Sequence, residues 1–324
     1  MSVPPLWLSE ADVTSLMTLS EAIDALERAL LAESRGEAQN MLKTHVAWGG
    51  GHTLHAIGAA FPVLGFVGTK TWAHTAGGAS PLLILFDSHT GTLQAIIEAF
   101  ALGQMRTGGI SGVATRWLAA ASADELAIIG TGKQAHSQVA AVAAVRPLKR
   151  VRVFSPNPAH RAAFVEDLRS AFSFEVTDAG SVAAAVNGAS IITLVTRATA
   201  PFLSAAMIAS GSHINAVGAI TPDRVELATD IFPRCSRAVV DSLPSVQKLS
   251  RELIDFYGSG HGDWRSVAPL CDVVAARQPR PASADITLFK AMGMGISDLS
   301  LGIEVYDRAM RQGAGRRLDA PQKR

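Results

Sequence analysis

One contiguous stretch, Glu125-Leu-Ala-Ile-Ile-Gly-Thr-Gly-Lys-Gln-Ala135, restricts the possible folds of this chain more than any other. Leu126 to Ile129 are all apolar, as in a short strand buried on both faces, and Gly130 ends the run directly. Gly132 lets the backbone approach a bulky anion, and Ala135 is small enough for a helix to pack closely on the preceding strand. The first turn of that helix offers unpaired N–H groups and the positive end of its dipole. A glycine pair by itself is common in turns. Set between a strand and a helix, it predicts that Gly130, Thr131, Gly132, Lys133 and Gln134 cradle the phosphates of a dinucleotide.

Short apolar segments recur beyond this turn, near Val151–Phe154, Phe174–Val176, Ile191–Val195, Ile214–Val217 and Ala238–Asp241, with helical patterns between them. With Leu126–Ile129 they make six strands in the strand–helix rhythm of a Rossmann-type doubly wound parallel sheet, an α/β fold. Upstream the period differs. Helices start near Ser9 and Ser20, with Gly36 closing the second, and a third runs from about Ser111 to Ala121. Between them lie short strands, Thr53–Ile57, Gly65–Trp72, Leu82–Phe86 and Thr92–Ile97, with Asp87–Gly91 as a hairpin-type turn. The tail from about Ser300 is helical and is expected to return to the first domain. At 324 residues the chain exceeds the roughly 250–300 at which one core stops growing. Two domains follow: an α+β domain over 1–112 completed by 300–324, and a dinucleotide-binding domain over 113–299.

The choice of dinucleotide turns on the end of the second Rossmann strand, where NAD-specific folds place an acid about 20 residues after the glycine turn. That strand ends Val153-Phe154-Ser155-Pro156-Asn157-Pro158-Ala159-His160-Arg161, without an acid. Ser155, Asn157 and Arg161 are candidate donors to a 2′-phosphate, which a carboxylate would repel. NADP(H) is favoured over NAD(H) on this ground.

Several motifs lie in order along the chain: Met17-Thr-Leu-Ser-Glu-Ala-Ile23, Gly68-Thr-Lys70, Leu85-Phe-Asp87 to Thr90-Gly91, and Arg106-Thr107. Gly130 to Ala135, Asn215-Ala-Val-Gly-Ala219, and Thr287-Leu-Phe-Lys290 through Gly293 to Asp298 follow. In these the chain resembles the ornithine cyclodeaminase/mu-crystallin family over nearly its whole length. The resemblance implies a homodimer in which the first domain binds substrate and makes the dimer contact, with the active site between the domains. It also implies that Thr107, Thr196 and Val217 line the cofactor. Because the family includes cyclodeaminases, dehydrogenases, imine reductases and NADPH-binding crystallins, membership alone does not fix the reaction.

The family binds an amino-acid carboxylate with basic side chains, and Lys43, Lys70 and Arg106 stand at the matching positions. Lys43 replaces the arginine of many members, exchanging a bidentate fork for a point charge. Independently of family, Lys70 sits in an apolar run and Arg106 begins a small-residue segment, so each needs an anion when buried. The alternative is an internal ion pair with Glu98 or Asp87. His55 aligns with a carboxylate that handles the substrate amino group in cyclodeaminases, so His55 and Lys70 are the catalytic candidates. His45 and His74 flank the same sheet, where a lone histidine is more often a satisfied core residue. Ile220 stands where cyclodeaminases carry an aspartate beside the nicotinamide, and it neither takes a proton nor pairs with an ammonium. Asp223 is expected to cap a helix beginning near Arg224.

The expected activity is that of an NAD(P)H-dependent reductase or dehydrogenase of a small imino or amino acid. An ammonia-releasing ornithine-type cyclodeaminase with bound NAD and a non-catalytic NADPH-binding protein are the alternatives. Lys and Arg (29) balance Asp and Glu (28), which gives no field for nucleic acid or an anionic membrane. The basic residues from Arg311 to Arg324 are expected to be a solvated terminus. Cys235 and Cys271 lack the spacing of a metal site or disulfide framework, and no apolar run approaches a membrane span, so a cytoplasmic location and no metal are expected.

Overall fold

Alternation of apolar and polar residues between Gln39 and Glu98 makes a half-buried sheet rather than helices. The structure, a computed structural model, describes residues 4–319 and 321; the end of the basic tail lies outside the described residues. The chain separates into two units, Met1–Arg106 with Gly293–Arg324, and Thr107–Met292.

The first unit runs β1 (Leu6–Leu8), α1 (Glu10–Leu16), α2 (Leu19–Ser34), β2 (Gln39–Trp48), β3 (His52–Phe61), β4 (Phe66–Thr75), β5 (Gly78–Ala79), β6 (Leu82–Asp87) and β7 (Leu93–Glu98). Helix α3 (Phe100–Leu118) then carries the chain across the division. It starts earlier than the 111–121 expected because its glycines, Gly103, Gly108 and Gly109, hide the helical pattern. Capping boxes start both early helices: Thr18 with Glu21 opens α2, as Ser9 with Asp12 opens α1. Strands β2, β3, β4, β6 and β7 pair antiparallel in that order, and β1 adds in parallel to β7.

The C-terminal helix Gly295–Gln312 returns to this sheet and to α2. It starts before Ser300 because Gly295 lies directly on β3: a Cβ there would stand 1.9 Å from the Gly58 carbonyl oxygen. That approach brings Asp298, in the first turn of the helix, down onto the sheet. The junctions therefore fall at 106 and 293, rather than at 112 and 300, because Arg106 and Asp298 both pack within the first unit.

The second unit is β8 (Glu125–Ile129), α4 (Ala135–Val145), β9 (Arg150–Phe154), α5 (Pro158–Ala171), β10 (Glu175–Asp178), α6 (Val182–Val186), β11 (Ile191–Leu194) and β12 (His213–Ala216). After these come β13 (Cys235–Val240), α7 (Leu243–Leu249), α8 (Arg251–Leu253), β14 (Val267–Pro269), α9 (Leu270–Ala276) and β15 (Ile286–Lys290). The strands form one parallel sheet in the order β10-β9-β8-β11-β12-β15-β13-β14. Successive β8 residues feed opposite cores: Leu126 and Ile128 pack with Val139 and Val151, Ala127 and Ile129 with Ile192 and Leu194. Both faces are covered, as parallel sheets require. The sequence showed six of these strands. It concealed β14, which is short, and β15, whose run carries Thr287 and ends on the buried Lys290.

No helix begins near Arg224. Thr221 to Arg224 form a turn, the Arg224 N–H donating to the Thr221 carbonyl at 3.0 Å, before Leu227 bridges to Leu203; Asp223 accepts from Thr221 Oγ1 at 2.6 Å and pairs with Arg224 at 3.2 Å. The pairing satisfies Asp223 locally, without a helix to cap.

Candidate active site

Lys70 points from the middle of β4 and is 5% exposed; its Nζ donates to Asp298 Oδ1. Arg106, on α3, places Nε 3.2 Å from the same oxygen. Asp298 is itself 1% exposed, and its second oxygen has no hydrogen-bond partner. Neither Glu98 nor Asp87 is the partner of Lys70. Glu98 accepts from the Glu10 N–H at 2.9 Å, and Asp87 is turned into its own hairpin by His89 and Thr90.

Lys43, on β2, lies near this group: burial and then the Arg106 charge lower its pKa, and Asp298 opposes them. Burial likewise lowers Lys70, to about 8, with Asp298 as the main opposing influence. Lys70 and Arg106 thus share a single buried carboxylate, with the Lys43 charge close enough to feel it.

Register places the aromatic residues beside them. His45, His55 and Trp72 are directly paired across β2, β3 and β4, one row along from Lys70, which pairs with Ile57. Their rings stack, His45 to His55 at 5.5 Å and His55 to Trp72 at 4.8 Å. The Nζ atoms of Lys43 and Lys70 lie 5.6 and 5.2 Å from the Trp72 ring centre. Burial and then the Lys43, His45 and His74 charges push the His55 pKa down to about 4. His55 Nε2 lies 2.8 Å from Thr53 Oγ1, while Nδ1 is buried without a partner.

In the second unit the predicted turn is built as a cradle. Gly130 has φ +110°, and a Cβ there would stand 2.6 Å from the Val195 carbonyl oxygen. A Cβ on Gly132 would meet nothing within 4 Å, so the turn is open on its outer side. Gln134 gives no side-chain cap to α4, Ala135 is fully buried, and Lys133 is exposed. An uncapped helix start behind an open glycine fits a pyrophosphate. Thr107 accepts from the buried Gln138 side chain at 3.0 Å, which ties α3 to α4. Thr196 follows β11, its methyl 3.2 Å from where a Gly130 Cβ would lie. Val217 is buried after β12, its N–H donating to the Leu194 carbonyl at 2.9 Å, and Ile220 is 37% exposed in the loop that follows.

The three residues proposed for a 2′-phosphate differ in use. Asn157 caps α5, accepting from His160 N at 3.0 Å. Arg161 is ion-paired to Asp178, donates to the Ser155 carbonyl at 2.6 Å and lies 5.7 Å from the Phe154 ring centre. Ser155 is buried at the strand end. Asp178 went unnoticed because it belongs to the next strand, 17 residues beyond Arg161.

Residues 5–313 match the ornithine cyclodeaminase/mu-crystallin family. The chain belongs to this family. Among its relatives, a Delta(1)-pyrroline-2-carboxylate reductase of Bacillus cereus is 30% identical over 240 residues, 74% of each chain. The structure of Thermococcus litoralis Delta(1)-pyrroline-2-carboxylate reductase in complex with NADH and L-proline superposes with a TM-score of 0.90. It is 29% identical and covers 97% of this chain and 100% of its own. An archaeal alanine dehydrogenase dimer with bound NAD superposes at 0.89, at 25% identity over 98% and 99% of the two chains. Among the described residues no group of three His, Cys, Asp or Glu side chains is placed to hold a metal ion, and no helix is long and apolar enough to cross a membrane.

Sequence reasoning missed two features of the site. Asp298 was visible only as the end of a motif, and its pairing with Lys70 spans 228 positions. The row His45-His55-Trp72 depends on strand register, which three separate segments do not announce.

Proposed function

We propose that this chain is an NAD(P)H-dependent reductase of a small or cyclic α-imino acid, forming the amino acid. The charge surplus around Asp298 carries this reading: Lys70 and Arg106 share one buried carboxylate, Lys43 adds a third charge nearby, and a substrate carboxylate would balance them. The relatives named above, which act on a cyclic imino acid or on alanine, support it.

Arg106 and Lys43 would clamp the carboxylate and so fix the imine carbon. When bound, the reduced nicotinamide supplies a hydride to that carbon. The nitrogen must then take one proton. Lys70, an ammonium at neutral pH with its pKa near 8, can give it, and Asp298 holds that ammonium in place. His55, expected from the sequence as a proton donor, is a neutral imidazole at that pH and suits a different role. Stacked on Trp72, it gives the substrate side chain a flat, uncharged wall.

The missing acid at the end of β9 supports NADP(H) over NAD(H), although Asp178 offsets much of the charge that Arg161 offers a 2′-phosphate. A homodimer is supported by β2, which ends the sheet and leaves Leu42, Val46 and Trp48 exposed.

Titration of the purified chain with NADPH and NADH, followed by assays of NAD(P)H oxidation with Δ1-pyrroline-2-carboxylate and with pyruvate plus ammonia, tests the proposal. Turnover of an imino acid is expected. Ammonia release from ornithine with only catalytic NAD would establish the cyclodeaminase alternative, against which Ile220 speaks. Tight binding without turnover of a broad imine panel would make the chain a binding protein.

A further inference from the structure

Glu226 is a fully buried carboxylate that the glycine turn and the cation cluster leave unexplained. Its Oε1 accepts from the Thr196 N–H at 2.7 Å and the Thr196 hydroxyl at 2.8 Å. Its Oε2 accepts from the N–H groups of Gly218 at 3.0 Å and Ala219 at 3.1 Å. Four donors and no acceptor surround it, which is an environment for an ionised carboxylate. Burial raises its pKa, opposed by Lys290 and by the Thr196 donors. The fit is close enough to require glycine, since a Cβ on Gly218 would stand 2.4 Å from Glu226 Oε1.

A second carboxylate fixes Glu226 from behind. Glu252 Oε1 accepts from the N–H groups of Glu226 at 2.5 Å and Leu227 at 2.9 Å, and its Oε2 accepts from Lys290 Nζ at 2.8 Å. Lys290 ends β15, in register with Ala216 at the end of β12. The network therefore runs from the sheet, through Glu252, to the two loops that Glu226 joins.

Those loops leave the carboxyl ends of β11 and β12. In a sheet ordered as this one is, β8, β9 and β10 form the first mononucleotide half and β11, β12 and β15 the second. The first glycine of the turn touches the first of these loops, at Val195 and Thr196. We infer that Glu226 is a positioning residue for the nicotinamide half of the bound dinucleotide, holding the loops after β11 and β12 against that half without touching the reacting atoms. This rests on the dinucleotide reading of the glycine turn.

The test compares the full-length protein with Glu226→Gln for two ligands: the reduced dinucleotide that the wild type binds more tightly, read by fluorescence, and the matching ADP-ribose fragment, read by calorimetry. The glutamine keeps the shape but turns an NH2 toward backbone N–H groups. The dinucleotide should weaken about tenfold and the fragment by less than about twofold, the size expected for losing charge-assisted hydrogen bonds on one half only. Thr196→Val removes one donor and should weaken the dinucleotide alone by about threefold, which keeps the test available if the glutamine variant does not fold. Equal weakening of both ligands, or of neither, overturns the proposal and leaves Glu226 a structural residue. A wild type that binds neither ligand overturns the dinucleotide reading itself.

Discussion

Lys70 and Lys290 are both buried lysines on strands, and they are partnered in opposite ways. Lys290 lies fully buried 2.8 Å from Glu252, whose other oxygen takes two backbone N–H groups. Lys70 shares Asp298 with Arg106 and stands near the further cation Lys43. The first cluster sets one cation, Lys290, against two buried carboxylates, Glu252 and Glu226, whose remaining oxygens are filled by N–H and hydroxyl donors, so it has no cation left to offer an anionic ligand. The second carries surplus charge. A buried ion pair is therefore a poor sign of function by its presence alone; the count of charges around it is the better guide.

Removing the cation of the first cluster should break the comparison most visibly. Lys290→Met would leave Glu252 buried and uncompensated, at a cost of about 3–5 kcal/mol measured by urea denaturation. Lys70→Met should cost less stability, because Arg106 still faces Asp298, yet lower kcat/KM for an imino acid by about 10²–10³, the scale of losing one preorganised donor. Equal destabilisation by the two substitutions would remove the distinction.

The pH dependence sharpens it further. Lys70 is held down to about 8, so activity that needs its ammonium should fall as pH rises through about 8. Stability has the opposite sign: between that value and the ordinary 10.5 the unfolded chain binds the extra proton, and the Lys70 contribution favours folding increasingly as pH rises. Asp298→Asn removes the anion that opposes the lowering, and should move the alkaline limb of kcat/KM to lower pH. An unmoved limb would assign the proton to another group.

The smallest effect is expected at Arg161. Its substitution by alanine should weaken NADPH by about tenfold and leave NADH nearly unchanged, as for one charge-assisted contact. Parallel loss of both cofactors would make Arg161 a helix and strand-end brace for Asp178 and Ser155.

Local features were legible because neighbouring residues encode them. The apolar run, Gly130 and Ala135 fall within one stretch of chain, and the φ of +110° at Gly130 needs a residue without a Cβ. The capped start of α1 at Ser9 was readable for the same reason. Strand β15 was not, since the buried lysine that ends it looks like a surface position until Glu252 is known to meet it. Asn157 was read as a phosphate donor, and its Oδ1 also caps α5, a use that depends on where α5 begins.

By itself, then, the sequence determined that a strand, a glycine turn and a helix succeed one another, that two kinds of domain are present, and that Lys70 and Arg106 are basic residues in apolar or small-residue segments, to which the family resemblance adds Lys43. The tertiary structure alone decided that Asp298 meets Lys70 across 228 positions, that His45, His55 and Trp72 form one row, and that Glu226 joins two strand ends. The reason is register. Backbone dihedrals and periodicity are set by nearby residues, whereas a slip of one residue between β3 and β4 would turn His55 and Trp72 to opposite faces.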